Sequence, residues 1–407
     1  MHLSTSIARV IQWRLPKWVV AITIYRKNTL LLQFKGVFGI FCLTLHLLVW
    51  RIYMKNIVSF LLIMLAFDIS SNAQNVDLSS VDEFLNITAL LKNGEEVNME
   101  QWNQLDSSAA YSLFSNSQDN TILNIVKAVM LDIFGCSDSK GQTQNDSLLE
   151  TSVRENYEDI KKNYSEIRKF RDNYDFEYLI SNAKFRLQTF LGCDQLDASV
   201  KWRPVYFFFL SQDGKELDNA IVIDLNLIYK MTEDERINFL AHEFFHVYRA
   251  HFEHHEFNYA NDINFAIDMI ANEGIADQID KYMGYDQYFS NLGKSKELAS
   301  EFKQLYNNAP KDIEYLQTTI AQYAANQIDK DTCINRLIGI YKYNGHALGF
   351  YISNQIIKAG LRDEMIKEFH NPYEFFRLYS LTLPKDEKAS LNDDFLLFLK
   401  AETELYY

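Results

Sequence analysis

From residue 76 onward, apolar positions recur at helical spacing over most of the chain. SSVDEFLNITALLKNG, residues 79 to 94, carries Val81, Phe84, Leu85, Leu90 and Leu91 on a helical period. Ser80 and Glu83 have capping-box spacing, and Gly94 stands where such a helix would stop. EVNMEQWNQLDSSAAYSLF predicts a second helix, and further helical periods run over about 120–134, 149–172 and 174–190, with a polar loop at 137–147. Near residue 200 the pattern changes. VYFFFLSQDG and NAIVIDLNLIY are aromatic and β-branched, and the polar DGKELDN stretch between them reads as a link, which predicts a short antiparallel pair. Helical periods resume at Thr232 and continue nearly to the end. The expected fold is mainly α, of the α+β kind, with a small antiparallel β element.

Composition agrees. With 48% hydrophobic residues, 14 glycines and 5 prolines in 407 residues, the chain can bury a large core and lacks the turn residues of a β-sandwich. Cys136, Cys193 and Cys333 are too few and too scattered for a disulfide scaffold, although one bridge could form, and no CxxC pair offers a cysteine metal site.

The N-terminal part differs in kind. Residues 1–53 hold seven Lys or Arg and no acid. MKNIVSFLLIMLAFDISSNAQ then starts at Met54 with one Lys, a short apolar run and a small-residue cleavage pattern at Ser71 and Ala73, the layout of a secretory signal peptide over 54–73. The run is short of the ~20 residues a membrane-spanning helix needs. The reading preferred is an upstream extension over 1–53. The alternative is a membrane-proximal hairpin that also uses the apolar run at 36–50. Both imply export, to the periplasm, the cell surface or the medium. Removing residues 1–73 leaves 32 basic and 53 acidic residues. A surface that acidic repels phosphate backbones, so nucleic acid is excluded as a partner, and membrane contact is left to an uncleaved N-terminal segment. The remainder divides into a helical region over 74–195 and a region over 196–407 that carries the chemistry.

That chemistry lies in TEDERINFLAHEFFHVYRAHF, where Thr232 and Glu235 form a capping box at the start of a helix. In the HExxH stretch at 242–246, His242 and His246 are one turn apart on one helix face and Glu243 lies on the same flank. Two imidazoles so placed can share a tetrahedral zinc ion while the carboxylate reaches a water molecule. A catalytic zinc site needs a third protein ligand. The extended HExxHxxGxxH pattern fails because Arg249 and Phe252 stand where Gly and His are required. NEGIAD, in a second helical stretch, places Glu273 and Asp277 at i, i+4, so Glu273 could complete the site and Asp277 could orient a ligand histidine.

HEFFH followed by NEGIAD resembles the gluzincin metallopeptidases, the thermolysin-like group with HExxH and a later NExxxD. The resemblance implies a zincin-like core, with His242, His246 and Glu273 as zinc ligands, Glu243 as general base and acid, and Asp277 as the partner of His242. It also implies an edge strand that binds the substrate backbone, and NAIVID at 219–224 is similar to that strand. The order of helices, strand pair, HExxH, EGIAD and a late YxxGHxxGFYI over 76–407 is most similar to uncharacterised zinc-dependent peptidases of Bacteroidetes-type bacteria. The implied activity is hydrolysis of peptide bonds in a peptide or protein by a zinc-activated water.

A second group should stabilise the developing oxyanion, and Tyr343 and His346 are the candidates. A buried core histidine explains His346 as well. The His-rich FEHHEF at 252–257 reads as a solvated helix end, and Asn371 with Pro372 reads as a helix start. The competing hypothesis for the whole protein is a catalytically silent zinc-containing binding or scaffold protein. Glu243 argues against it, since a purely structural site has no use for a general base.

Overall fold

The computed structural model describes residues 76–115, 121–135, 147–217, 219–252, 263–291, 296–340, 342–383 and 393–406, together with the backbone of three strands between residues 10 and 34. The chain divides into two units, Met1–Ala73 and Gln74–Tyr407. In the first, β1 (Val10–Leu15), β2 (Trp18–Tyr25) and β3 (Thr29–Phe34) form an antiparallel meander. The expected signal peptide at 54–73 and the apolar run at 36–50 lie outside the described residues.

The second unit is mainly helical around a small mixed sheet. It opens with the two-residue strand β4 (Val76–Asp77) and α1 (Ser79–Lys92). The start of α1 corrects the sequence expectation. Ser80 is not its cap: Ser80 is buried inside the helix, where its Oγ accepts from Ala110 N at 2.9 Å, and Asp77 accepts from Ser79 N at 2.8 Å instead. The predicted second helix is two, α2 (Met99–Ser107) and α3 (Ala109–Ser115), broken at extended Ser108. Then come α4 (Thr121–Phe134), α5 (Leu148–Asn173) and α6 (Phe176–Leu191), close to the predicted ranges.

The sheet differs from the predicted antiparallel pair. β5 (Val205–Phe208) and β7 (Ala220–Asp224) run parallel, and the polar stretch between them is itself a strand, β6 (Gly214–Leu217), antiparallel to β7. The order is β4-β5-β7-β6. β7 is therefore interior, and all five of its residues are buried. An unbroken apolar run is what a strand covered on both faces requires. The NAIVID segment is consequently not an edge strand: among the described strands β6 is the edge beside it, with Lys215 and Glu216 exposed.

Asp224 ends β7 and caps α7 (Leu225–Lys230). The Thr232–Glu235 capping box then starts α8 (Glu233–His251), and Phe252 closes it. α9 (Ile263–Asp280) follows, then α10 (Tyr285–Asn291), α11 (Lys296–Ala324), α12 (Lys330–Ile338), α13 (His346–Lys358), α14 (Arg362–Lys367), α15 (Pro372–Thr382) and α16 (Asp393–Tyr406). Asn371 caps α15 and Pro372 is at its first turn, as the sequence predicts. Residues 253–257 of the His-rich stretch lie outside the described residues. Cys193 and Cys333 are free thiols, and Cys136 is likewise outside.

Two contacts fix α9 against its neighbours. Arg249 of α8, fully buried, donates to both oxygens of Asp268, one of them at 2.8 Å, and to Phe369 O at 3.0 Å. That ion pair explains why Arg249 stands where another zinc-peptidase pattern would have glycine. On the other side α9 and α13 touch through glycines: a Cβ at Gly274 would lie 2.4 Å from the Gly349 carbonyl carbon, and one at Gly349 would lie 2.1 Å from Ile270 O. No described helix is long and apolar enough to cross a membrane.

Candidate metal centre

α8 and α9 bring His242, His246 and Glu273 to one point. Glu273 Oε2 lies 3.5 Å from His242 Nε2 and 3.4 Å from His246 Nε2. Four ligands held at about 2.0–2.1 Å around a tetrahedral ion are separated by roughly 3.4 Å, so these spacings are those a zinc ion imposes. Oε2 is buried and has no hydrogen-bond partner, which is costly for a carboxylate oxygen unless a cation completes its surroundings. The residues therefore fit zinc.

The far side of each ring is also set. His242 Nδ1 is 3.0 Å from Asp280 Oδ1, and His246 Nδ1 is 2.9 Å from Asn272 Oδ1. An acceptor at Nδ1 keeps its proton there and turns the Nε2 lone pair inward, the arrangement usual behind metal-ligating histidines.

The partner of His242 corrects the sequence expectation. Asp277 was expected in that role, but it is 3.8 Å from His242 Nδ1, against 3.0 Å for Asp280. Asp277 instead accepts from His346 Nδ1 at 2.9 Å, from Tyr285 Oη at 3.1 Å and from Lys281 Nζ at 2.8 Å. Glu273, Asp277 and Asp280 follow one another at i, i+4 and i+7 on one face of α9, so spacing alone could not decide between the two aspartates. Asn272 was missed too, although it is the first residue of the NEGIAD stretch.

Charge follows from this crowding. Burial pushes the Glu273 carboxyl up, but His346 and His246 outweigh it and hold the group well below the usual range. Burial and Lys281 oppose protonation of His242, yet Asp280 and Glu273 raise it to about 10. Burial raises the Glu243 carboxyl, partly offset by the two histidines.

A cleft of about 850 Å³ opens over the centre. Its floor includes His242, Glu243, His246, Glu273 and His346. Its lining also includes Asp213, Gly214 to Glu216 of the edge strand, and Phe265, Met269, Phe302 and Tyr343. Gly214 passes so close over α8 that a Cβ there would lie 2.5 Å from the Phe239 ring and 3.7 Å from Glu243 Oε1. His346 opens α13 with its ring centroid 5.9 Å from that of His242 and its Nδ1 3.3 Å from Glu273 Oε2. Tyr343 is at the rim, with φ 52, its ring 4.6 Å from that of Phe302 and its hydroxyl donating to Glu301 at 2.9 Å.

A fold of helices about a small mixed sheet, with two histidines and a glutamate facing one another under a cleft, defines a zinc-site protein. A family model described as "Putative zinc dependent peptidase (DUF5700)" matches residues 102–387, and the chain belongs to that family. Zinc is accordingly its cofactor. No curated protein and no solved structure matches the chain.

Proposed function

We propose that the protein is an exported zinc peptidase of the gluzincin type, hydrolysing peptide bonds with His242, His246 and Glu273 as zinc ligands and Glu243 as general base and acid. The observation that carries this reading is the buried, unpartnered Glu273 Oε2 between the two Nε2 atoms, on the floor of a cleft that Glu243 also lines. Zinc, when bound, supplies a Lewis acid and a water of lowered pKa. Glu243 takes the proton of the attacking water and delivers it to the leaving amine, and burial raises its basicity toward that task.

The substrate backbone lies extended along β6, whose outer edge no described strand pairs and which starts directly above Glu243. His346, held through Nδ1 by Asp277, faces the cleft with its other nitrogen available to the oxyanion. Tyr343 is the weaker candidate, because Glu301 engages its hydroxyl at the rim. Export rests on the signal-like segment at 54–73.

The test is zinc content by elemental analysis of the wild type and of Glu273→Ala, followed by Glu243→Gln on a peptide library. One zinc per chain that Glu273→Ala weakens, with hydrolysis lost in Glu243→Gln, is the expected result. Zinc indifferent to Glu273 would end the three-ligand reading, and zinc without any Glu243-dependent hydrolysis would favour a silent zinc scaffold.

A further inference from the structure

Behind the zinc-facing atoms lies a charge problem that the ligands do not solve. Glu273, Asp277 and Asp280 are all buried, at 6%, 0% and 7% exposure, within two turns of one helix. Carboxylates this close and this dry oppose one another unless a cation is shared among them. Lys281 is such a cation. It stands immediately after α9, is 8% exposed, and points its ammonium back: Nζ is 2.8 Å from Asp277 Oδ1, and 3.1 and 2.8 Å from the two oxygens of Asp280. The Tyr288 ring centroid lies 4.9 Å from Nζ and covers it. The C-terminal end of a helix is itself a favourable place for a positive charge.

Lys281 does not line the cleft. It reaches the site only through the two aspartates, of which Asp280 holds His242 Nδ1 and Asp277 holds His346 Nδ1. The same ammonium occupies the Asp277–Asp280 pair that an alternative ligand set, His242 with both aspartates, would need.

We propose that Lys281 is an internal counter-cation that lets the zinc site assemble before zinc arrives. It is a positioning residue: its ammonium bridges Asp277 and Asp280 and fixes where their carboxylates stand, and through them keeps His242 and His346 in the orientation the loaded site uses. The inference rests on the zinc centre described above. Without this ammonium the incoming metal becomes the main cation of the cluster, and folding couples to metal loading as it does in small zinc domains.

The experiment is the melting temperature of the full chain, chelator-treated and zinc-loaded, for the wild type, Lys281→Arg, Lys281→Met and the charge-compensated double variant Asp277→Asn with Lys281→Met. The wild type and Lys281→Arg should fold without zinc and gain a similar increment on loading. Lys281→Met should lose stability mainly in the metal-free state, so that its zinc-induced increment exceeds that of the wild type by about 5–10 °C. The double variant should recover most of the metal-free melting temperature.

If Lys281→Met lowers the metal-free and zinc-loaded values equally, Lys281 is only a packing residue and the proposal is overturned. If Lys281→Met does not fold in either state, the double variant decides. Folding without metal, with a wild-type increment, supports the proposal, and failure to fold overturns it. A wild type whose melting temperature ignores zinc overturns the zinc centre as well, a failure visible in the unmutated chain and so distinct from a failure of Lys281.

Discussion

Asp224, the last residue of β7, and Glu273, inside α9, are both buried carboxylates, and burial pushes both toward protonation, yet they come out on opposite sides of the ordinary value. Asp224 faces neutral donors: Leu210 N at 2.6 Å, Asn226 N at 2.9 Å, Leu227 N at 3.3 Å and Asn156 Nδ2 at 2.8 Å. Both its oxygens are satisfied, and its pKa is raised because the lost water outweighs these neutral donors. Glu273 faces three imidazoles, leaves one oxygen without a hydrogen bond, and has its pKa lowered. The first is a joint that ties the sheet to α5 and α7, complete as it stands. The second is complete only with a cation. Burial of a carboxylate therefore says little about its role, whereas the charge and the unmet valence around it say much.

The largest expected effect concerns chemistry alone. Glu243→Gln should lower kcat/KM for peptide hydrolysis by about 10²–10⁴-fold with zinc content unchanged, which separates the base from the ligands. Next comes an exchange across the comparison. Asp224→Ala should destabilise the fold by at least about 3 kcal/mol, since several buried donors lose their acceptor, and should leave one zinc per chain. Glu273→Ala should do the reverse, losing zinc while costing the metal-free fold less than Asp224→Ala does. Zinc lost from Asp224→Ala at temperatures where it is folded would break the distinction.

A smaller effect is expected behind the ligands. Asp280→Asn and Asn272→Ala should each weaken zinc by about 10–100-fold in chelator competition, and Asp277→Asn should act on turnover more than on zinc.

The mildest effect is in pH dependence. The folded-state pKa of His242, about 10, lies above its unfolded value of about 6.5, so its contribution to metal-free stability is full below about pH 6.5 and fades as pH rises through 10. Asp277, whose burial is outweighed by His346 and Lys281, lies at about 2, so its contribution is full above about pH 4 and is lost as pH falls through 2. Metal-free melting temperature should therefore be highest between about pH 4 and 6.5. Zinc must displace imidazole protons, so the increment it adds should grow with pH. Parallel pH profiles with and without zinc would show that no such displacement occurs.

Much of this was legible in the chain itself, for reasons that differ by element. α8 announced itself because its capping box and its histidine spacing are local, and both survive folding unchanged. The face of α9 that carries Glu273 was legible from i, i+4 spacing. What spacing cannot supply is distance between helices, and so Asp280 displaced Asp277 as the partner of His242, and Asn272 and Lys281 went unseen. β6 was missed because GKEL is polar: an edge strand over a cleft is solvated on its outer side and has no apolar alternation to betray it. The parallel pairing of β5 with β7 depends on a crossover through that same polar stretch. Ser80 shows the converse error, a motif with the right spacing buried in a helix whose start is fixed one turn earlier by Asp77.

The glycine contact between α9 and α13 has a mechanical meaning. Backbones that meet without side chains between them have no layer of rotatable atoms to absorb a displacement, so Glu273, one residue from Gly274, and His346, three residues before Gly349, travel as a single rigid piece. A methyl group at either glycine would act as a wedge, spreading α9 and α13 and with them Glu273 and His346. Neither position has room for a side chain, so the floor of the cleft is built on a backbone contact that cannot give.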